Sequence, residues 1–167
     1  DFICSVVQRV LAVHRSDLVA LDRDLGPVDA IVKPFARITY DEAVEILRGP
    51  EARRMLEQDL AARKDRIEQL AAEIAQLEET QKTATKKWQQ EKAAQDIQAA
   101  REERSELEEH VSNIPLHMEL AADFQWGSDL GGSDETILSR LHERPVFITH
   151  YPQKIKAFYM RLNDDGR

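Results

Sequence analysis

The sequence predicts an α+β body interrupted by a long antiparallel helical hairpin, and three observations carry that prediction. The first is a split in composition. Residues 51–114 contain no Gly, no Pro and a single aromatic residue, Trp88, whereas the flanks 1–50 and 115–167 hold all six Gly, all six Pro and the other aromatics. The second is helical periodicity in the middle segment, where apolar residues recur three and four positions apart. The third is strand-like alternation confined to the flanks. The expected organisation is therefore a body made of 1–50 and 115–167, with 51–114 inserted as the hairpin.

Bulk properties exclude several classes. Hydrophobic residues make up 42% and charged residues 32% of 167 positions, which excludes a disordered chain. No apolar run approaches the ~20 residues of a membrane-spanning helix, so no membrane partner is expected. No signal-peptide pattern opens the sequence. The single cysteine, Cys4, has no internal partner, which points to a reducing compartment and a cytoplasmic protein. A net charge of −8 and a pI near 5.2 exclude a generally basic nucleic-acid binder but leave room for a local basic patch.

In the middle segment, Leu60, Ile67 and Ile74 with Leu56, Leu70 and Leu77 form a heptad seam flawed by Arg53 and Arg63. Ile97, Ala100, Leu107, Val111 and Ile114 form a second seam flawed by Arg104, out of phase with the first. Two helices folded back on each other, with the reversal near Lys87, pair Leu77 with Ile97, Ile74 with Ala100 and Ile67 with Leu107. Each arm of this coiled coil would be about 40 Å long at 1.5 Å per residue. The turn, 80–87, has no Gly or Pro, and three threonines are its only helix-weakening residues. The competing reading is one long helix in an intermolecular coiled coil that serves as a protein-interaction module.

In the flanks, residues 2–13 present an apolar helical face, and Ser16-Asp17 opens a second helix expected to end at Gly26-Pro27. Residues 35–40 alternate like a strand. Thr39, with Glu42 three positions later, forms a capping box for a helix over 41–47. After Pro115, Gly131-Gly132-Ser133 leads into a helix over 134–142, stopped by Pro145. Residues 146–151 and 155–162 read as two strands covered on both faces, followed by a hairpin turn at 163–166. That turn has no returning strand, and the first helix begins without a start signal. Both are expected of a segment of a larger domain.

Few residues suggest chemistry. Cys4 lacks an activating neighbour and reads as a buried, inert thiol. The loop 127–134 carries acids where a phosphate loop needs a lysine, so it reads as a helix cap. His110 and His117 are separated by Pro115 and cannot share a helix face, while Glu102, Glu106 and Glu109 read as a solvated stripe; no metal site is expected. His150 has no nucleophile or acid at a suggestive spacing, and no catalytic residue is identified. The hairpin tip stands out. Lys82, Lys86, Lys87 and Lys92 face one acid there, Glu91, and they surround Trp88. An exposed Trp among lysines can stack on a base while the lysines meet phosphates. The plainer reading is that Trp88 closes the hairpin and the lysines keep it soluble.

Several tracts in the flanks resemble the catalytic domain of asparaginyl-tRNA synthetases, which are class II aminoacyl-tRNA synthetases. They are Phe35-Ala36-Arg37-Ile38-Thr39-Tyr40-Asp41-Glu42-Ala43-Val44, Trp126-Gly127-Ser128-Asp129-Leu130, Arg144-Pro145-Val146-Phe147-Ile148 and the run from Tyr151-Pro152 through Ile155-Lys156-Ala157-Phe158-Tyr159-Met160. The resemblance implies an antiparallel sheet with flanking helices and a homodimer. It also implies activation of asparagine with ATP and Mg²⁺, followed by transfer to tRNA. The family's Arg-x-Glu motif and its acidic and Gly-rich third-motif stretches have no match in the chain, so an isolated fragment is expected to be inert. Tyr151 and Phe158, placed by the resemblance in central strands, are expected at the wall of the amino-acid pocket. The helical insertion is expected to set this chain apart from family members with a short connection. A non-catalytic synthetase paralogue is the alternative. On the synthetase reading, the tip lysines and Trp88 become candidate tRNA contacts.

Overall fold

The computed structural model describes residues 2–164 and 166. The chain forms two compact units, one from the residues up to Ala52 together with those from Phe124 onward, the other from Arg53–Asp123.

In the first unit, α1 (Phe2–Ala20) is two helices merged across a kink at His14, whose φ/ψ are non-helical. The helix opened by Ser16-Asp17 therefore joins the first one and ends at Ala20, short of Gly26. Gly26-Pro27 begins the four-residue helix α2 (Gly26–Asp29) rather than ending a helix, because Pro is favourable in a first turn, where its missing N–H has no helical partner. Cys4 is buried, with its thiol 3.8 Å from the Ile31 carbonyl. Strand β1 (Ala36–Thr39) runs directly into α3 (Tyr40–Arg48). There Thr39 and Glu42 make the capping box, with the Glu42 N–H donating to the Thr39 hydroxyl at 3.2 Å and the Thr39 N–H to the Glu42 carboxylate at 2.6 Å.

Beyond the hairpin, α6 (Gly132–Arg140) packs on α3 and precedes β2 (Val146–Thr149). The Gly131 N–H donates to the buried Asp134 carboxylate at 2.9 Å, which starts α6 two residues earlier than the acids suggest. β1 and β2 pair in parallel, Ala36 opposite Val146 through Thr39 opposite Thr149. This differs from the antiparallel sheet that the resemblance implies. The long excursion between the strands, returning through α6, is the kind of crossover that parallel neighbours require.

A second departure lies at 155–162. Gln153–Ile155 is a 3₁₀ turn and no strand follows it. A strand forms only where a neighbour completes its ladder, and no third strand is present among the described residues. Phe158, Tyr159, Met160 and Leu162 are consequently exposed, and Phe147 in β2 is also open on one face, so neither tract is covered on both sides. In the expected turn at 163–166, Gly166 N–H reaches the Asn163 carbonyl at 3.0 Å, while Asp165 lies outside the described residues.

The second unit pairs α4 (Pro50–Thr83) with α5 (Lys87–Ala122) around a short turn at 84–86. At 34 and 36 residues, each helix is about 50 Å long. Leu70, Ile74, Ile97 and Ala100 form a buried cluster, flanked by Leu77 and Leu107. Interhelical ion pairs continue the same antiparallel register. Arg66 reaches Glu103 at 2.9 Å and Glu73 on its own helix at 2.8 Å, and Arg101 reaches Glu78 at 2.7 Å. The arginines that flaw the apolar seams are also paired, Arg53 with Glu57, Arg63 with Asp59 and Arg104 with Glu108. At the turn, the Thr80 and Thr83 hydroxyls bond back to the carbonyls of Gln76 and Glu79, a local competition that weakens helix continuation without Gly or Pro.

Pro115 does not end α5. The apolar face continues past it through Ile114, Met118 and Ala121, with Ile114 and Ala121 buried. Burial of that face outweighs the one backbone hydrogen bond that proline removes.

Leu70 is fully buried at the centre of the hairpin cluster. Leu70→Ala is expected to destabilise the second unit by about 2–5 kcal/mol, read as a lowered denaturant midpoint. Lys64→Gln, on the exposed surface of the same helix, should leave that midpoint in place.

Candidate functional site

Tyr40 is fully buried at the start of α3, immediately after the Thr39 cap. Its hydroxyl donates to the Ser128 carbonyl at 2.6 Å and accepts from the Gly127 N–H at 3.0 Å. Gly127 has φ +90°, a left-handed conformation that glycine adopts without a Cβ penalty and that turns its N–H toward the phenol. Trp126 packs edge-on against the Tyr40 ring with centroids 6.1 Å apart, and its indole N–H donates to Asp41 at 2.7 Å. Tyr151 approaches the same ring at 5.4 Å. Lys156 Nζ lies 3.8 Å from the Tyr151 ring centroid and 2.9 Å from Asp129 Oδ1. The ammonium is thus held by a ring face and a carboxylate together. Arg48 fixes the loop's beginning through hydrogen bonds to the Phe124 carbonyl.

Burial raises the pKa of the Tyr40 phenol, against a smaller lowering by the Gly127 N–H, and the nearby Asp129 and Asp41 charges add to the rise. Burial likewise raises Tyr151, with Glu135 and Asp129 contributing. Both phenols are therefore neutral near pH 7, and that of Tyr40 is a hydrogen-bonding group. The Glu42 carboxyl is held below its usual range, first by the Thr39 N–H and then by the Thr39 hydroxyl. The Tyr40 cluster holds the 126–129 loop in place.

Tyr151 and Phe158 both border an open cavity of about 520 Å³, together with His150, Lys156 and Arg161. Neither lies in a strand, since β2 ends at Thr149. The Phe158 ring is 99% exposed and contacts Tyr159 edge-on at 5.6 Å. The premise that placed both residues in central strands does not hold in this segment. His150 is in the left-handed region at φ +58°, with Nδ1 2.9 Å from the Thr149 hydroxyl.

At the hairpin tip, Lys82, Lys86, Lys87 and Lys92 are all exposed and Trp88 is 59% exposed. Lys87 pairs loosely with Glu91 at 3.6 Å. Among the described residues, Lys82, Lys86 and Lys92 make no ion pair. Trp88 and Lys92 line a shallow depression of about 360 Å³ with Thr80, Thr83 and Thr85. Lys86 occupies the N-cap of α5 without making a capping bond, and no acid lies in the first turn. The Gln90 side chain instead donates to the Ala84 carbonyl at 2.7 Å and closes the turn.

The chain matches the family model described as tRNA synthetases class II (D, K and N) over residues 1–167. The chain belongs to this family. Among its relatives, a protein of Sorangium cellulosum named asparagine–tRNA ligase is 34% identical over 161 residues, which covers 96% of this chain and 23% of the relative. Proteins of the same name from Herpetosiphon aurantiacus and Koribacter versatilis are 32% and 30% identical, each over 96% of this chain and 23% and 22% of their own lengths. The chain thus spans less than a quarter of these class II synthetase relatives. At 96% of the chain the matched stretches include the hairpin residues, so the expectation that this segment sets the chain apart is not supported by these relatives. No solved structure matches the chain. No helix of the described residues is long and apolar enough to cross a membrane.

The residues that sequence reasoning missed are Tyr40, Trp126, Asp129 and Lys156. All lie in the tracts that carry the family resemblance, yet Tyr40 and Ser128 are 88 positions apart, and no local pattern reports a bond of that span. The one local signal was Gly127 beside Trp126, a glycine that turned out to need a positive φ.

Tyr40→Phe removes the hydroxyl and leaves a Gly127 N–H and a Ser128 carbonyl without their partner. The expected cost is about 1–3 kcal/mol in denaturant unfolding at pH 7. Because the folded phenol has a raised pKa, the unfolded state ionises first as pH rises through its ordinary value near 10. The stability linked to Tyr40 is complete below that pH and lost above it. The gap between wild type and Tyr40→Phe should therefore narrow at alkaline pH.

Proposed function

We propose that this chain is part of the catalytic domain of an asparagine–tRNA ligase, which activates asparagine with ATP and transfers it to tRNA. The observation that carries this reading is the run of asparagine–tRNA ligase relatives aligned over 96% of the chain at 30–34% identity. On this reading the first unit contributes framework to the ligase body. The Tyr40 cluster would hold the 126–129 loop at fixed height beside Tyr151 and Lys156, and Phe158 would take its place at the pocket wall once the rest of the domain covers it. The hairpin would act as an intramolecular coiled-coil arm. The whole enzyme would be a cytoplasmic homodimer.

ATP and Mg²⁺ belong to the reaction of the whole ligase. Among the described residues no three His, Cys, Asp or Glu side chains gather into a group able to hold a metal ion. The segment alone, which lacks the family's Arg-x-Glu and third motifs, is expected not to form adenylate.

The test uses the full-length polypeptide that carries this segment. It should support asparagine-dependent exchange of pyrophosphate into ATP and should charge tRNA with asparagine. Exchange driven by aspartate or lysine instead would assign it to another branch of the family. Absence of exchange with all three amino acids would make it a non-catalytic paralogue.

A further inference from the structure

We propose that the tip of the α4–α5 hairpin is an RNA-binding surface, on which an unpaired base stacks on Trp88 while Lys82, Lys86 and Lys92 meet the flanking phosphates. The proposal rests on the ligase reading only for the identity of the RNA as tRNA. The surface itself is argued from the charge and packing of the hairpin.

The hairpin segregates its charge. Along the shaft the basic side chains are largely consumed by carboxylates, as in Arg66 with Glu73 and Glu103, Arg101 with Glu78, and Arg104 with Glu108. At the tip the pattern stops. Three exposed lysines have no carboxylate partner among the described residues, and the fourth is 3.6 Å from its own. A strongly acidic protein has carboxylates to spare, so a cluster of uncompensated lysines at one end of one element concentrates positive potential there.

Trp88 adds the second component. It is the only aromatic residue of 51–114, and it is spent on a position where more than half of its surface faces solvent. It contributes nothing to the buried Leu70–Ile74–Ile97–Ala100 cluster. Its ring borders the 360 Å³ depression whose other walls include the small polar side chains of Thr80, Thr83 and Thr85, with Lys92 and one carboxylate, Asp96, at its edge. A flat ring beside hydroxyls and an ammonium suits a nucleobase, with its π face, polar edge and attached phosphate.

Local stability is also forgone at this end. An N-cap favours Ser, Thr, Asp or Asn, and a first helical turn favours acids, yet α5 begins with Lys86 and Lys87 and has no acid in its first turn. Nothing in the packing of the turn requires lysine at either place. Such violations of local preference gather where a surface serves something other than stability.

The experiment is a binding titration of the full-length protein with a tRNA transcript bearing an asparagine anticodon, at several salt concentrations, alongside asparagine-dependent pyrophosphate exchange. The triple variant Lys82→Gln, Lys86→Gln, Lys92→Gln should weaken binding and lower the log–log salt slope by roughly 2–3, at about 0.7–0.9 per lost phosphate contact. Trp88→Ala should weaken binding roughly 5- to 150-fold, the range that one lost stacked base gives, while Trp88→Phe should retain most of the affinity. Lys86→Ser should raise the melting temperature and weaken tRNA binding at once, an opposition that a purely structural tip would not produce. Lys64→Gln, on the shaft, should alter neither affinity nor slope. All the variants should keep wild-type exchange. Unaltered affinity and slope in the triple variant, or an equal effect from Lys64→Gln, would overturn the proposal. Loss of exchange in the unmodified protein would instead overturn the ligase reading, and the binding measurement would still decide the tip.

Discussion

The first unit depends on one buried hydroxyl. The Tyr40 O–H donates a hydrogen bond to the Ser128 carbonyl and its oxygen accepts one from the Gly127 N–H, so a single oxygen joins two stretches of chain 88 positions apart. The bond stands on local structure at both ends. On one side, the Thr39–Glu42 capping box fixes where α3 begins and hence where Tyr40 points. On the other, the positive φ of Gly127 turns a backbone N–H toward the phenol. The parallel pairing of β1 with β2 and the packing of α3 on α6 then follow the same division, with each contact made between the segment before the hairpin and the segment after it.

What the sequence made legible was local. A capping box spans three residues, so Thr39 and Glu42 could be read directly, and strand β1 and helix α3 came with it. The hairpin was legible because its two apolar seams disagree in phase, which interrupts the seam of a continuous helix, and because pairing them back to back matched apolar with apolar. Elements governed by distant context were not legible. Pro115 reads as a stop until the buried face of Ile114 and Ala121 is seen to continue across it. The tract 155–162 has the composition of a covered strand, but composition supplies no partner, and in this segment Phe158 stands in solvent. The direction of the sheet and the Tyr40 site both belong to this second class. They are properties of the chain's path rather than of any window of residues.

The two kinds of basic side chain in the hairpin divide its tasks. The arginines lie on the shaft, where Arg53, Arg63, Arg66, Arg101 and Arg104 each take a carboxylate. A planar guanidinium with five fixed donors is suited to that work, and Arg66 uses it to hold Glu73 and Glu103 at once. The four basic residues of the tip are all lysine. An ammonium is a compact, strongly hydrated charge on a flexible stem, poorly suited to locking a fixed partner and well suited to meeting phosphates whose positions vary. A tip that existed only to reverse the chain would do better with a glycine or asparagine in the turn and an acid or serine at the cap. The threonines already weaken the helix enough to reverse it, so the lysines and Trp88 are not required by the turn. Their presence is explained by what they leave open, which is uncompensated charge around an exposed ring at the end of an otherwise acidic arm.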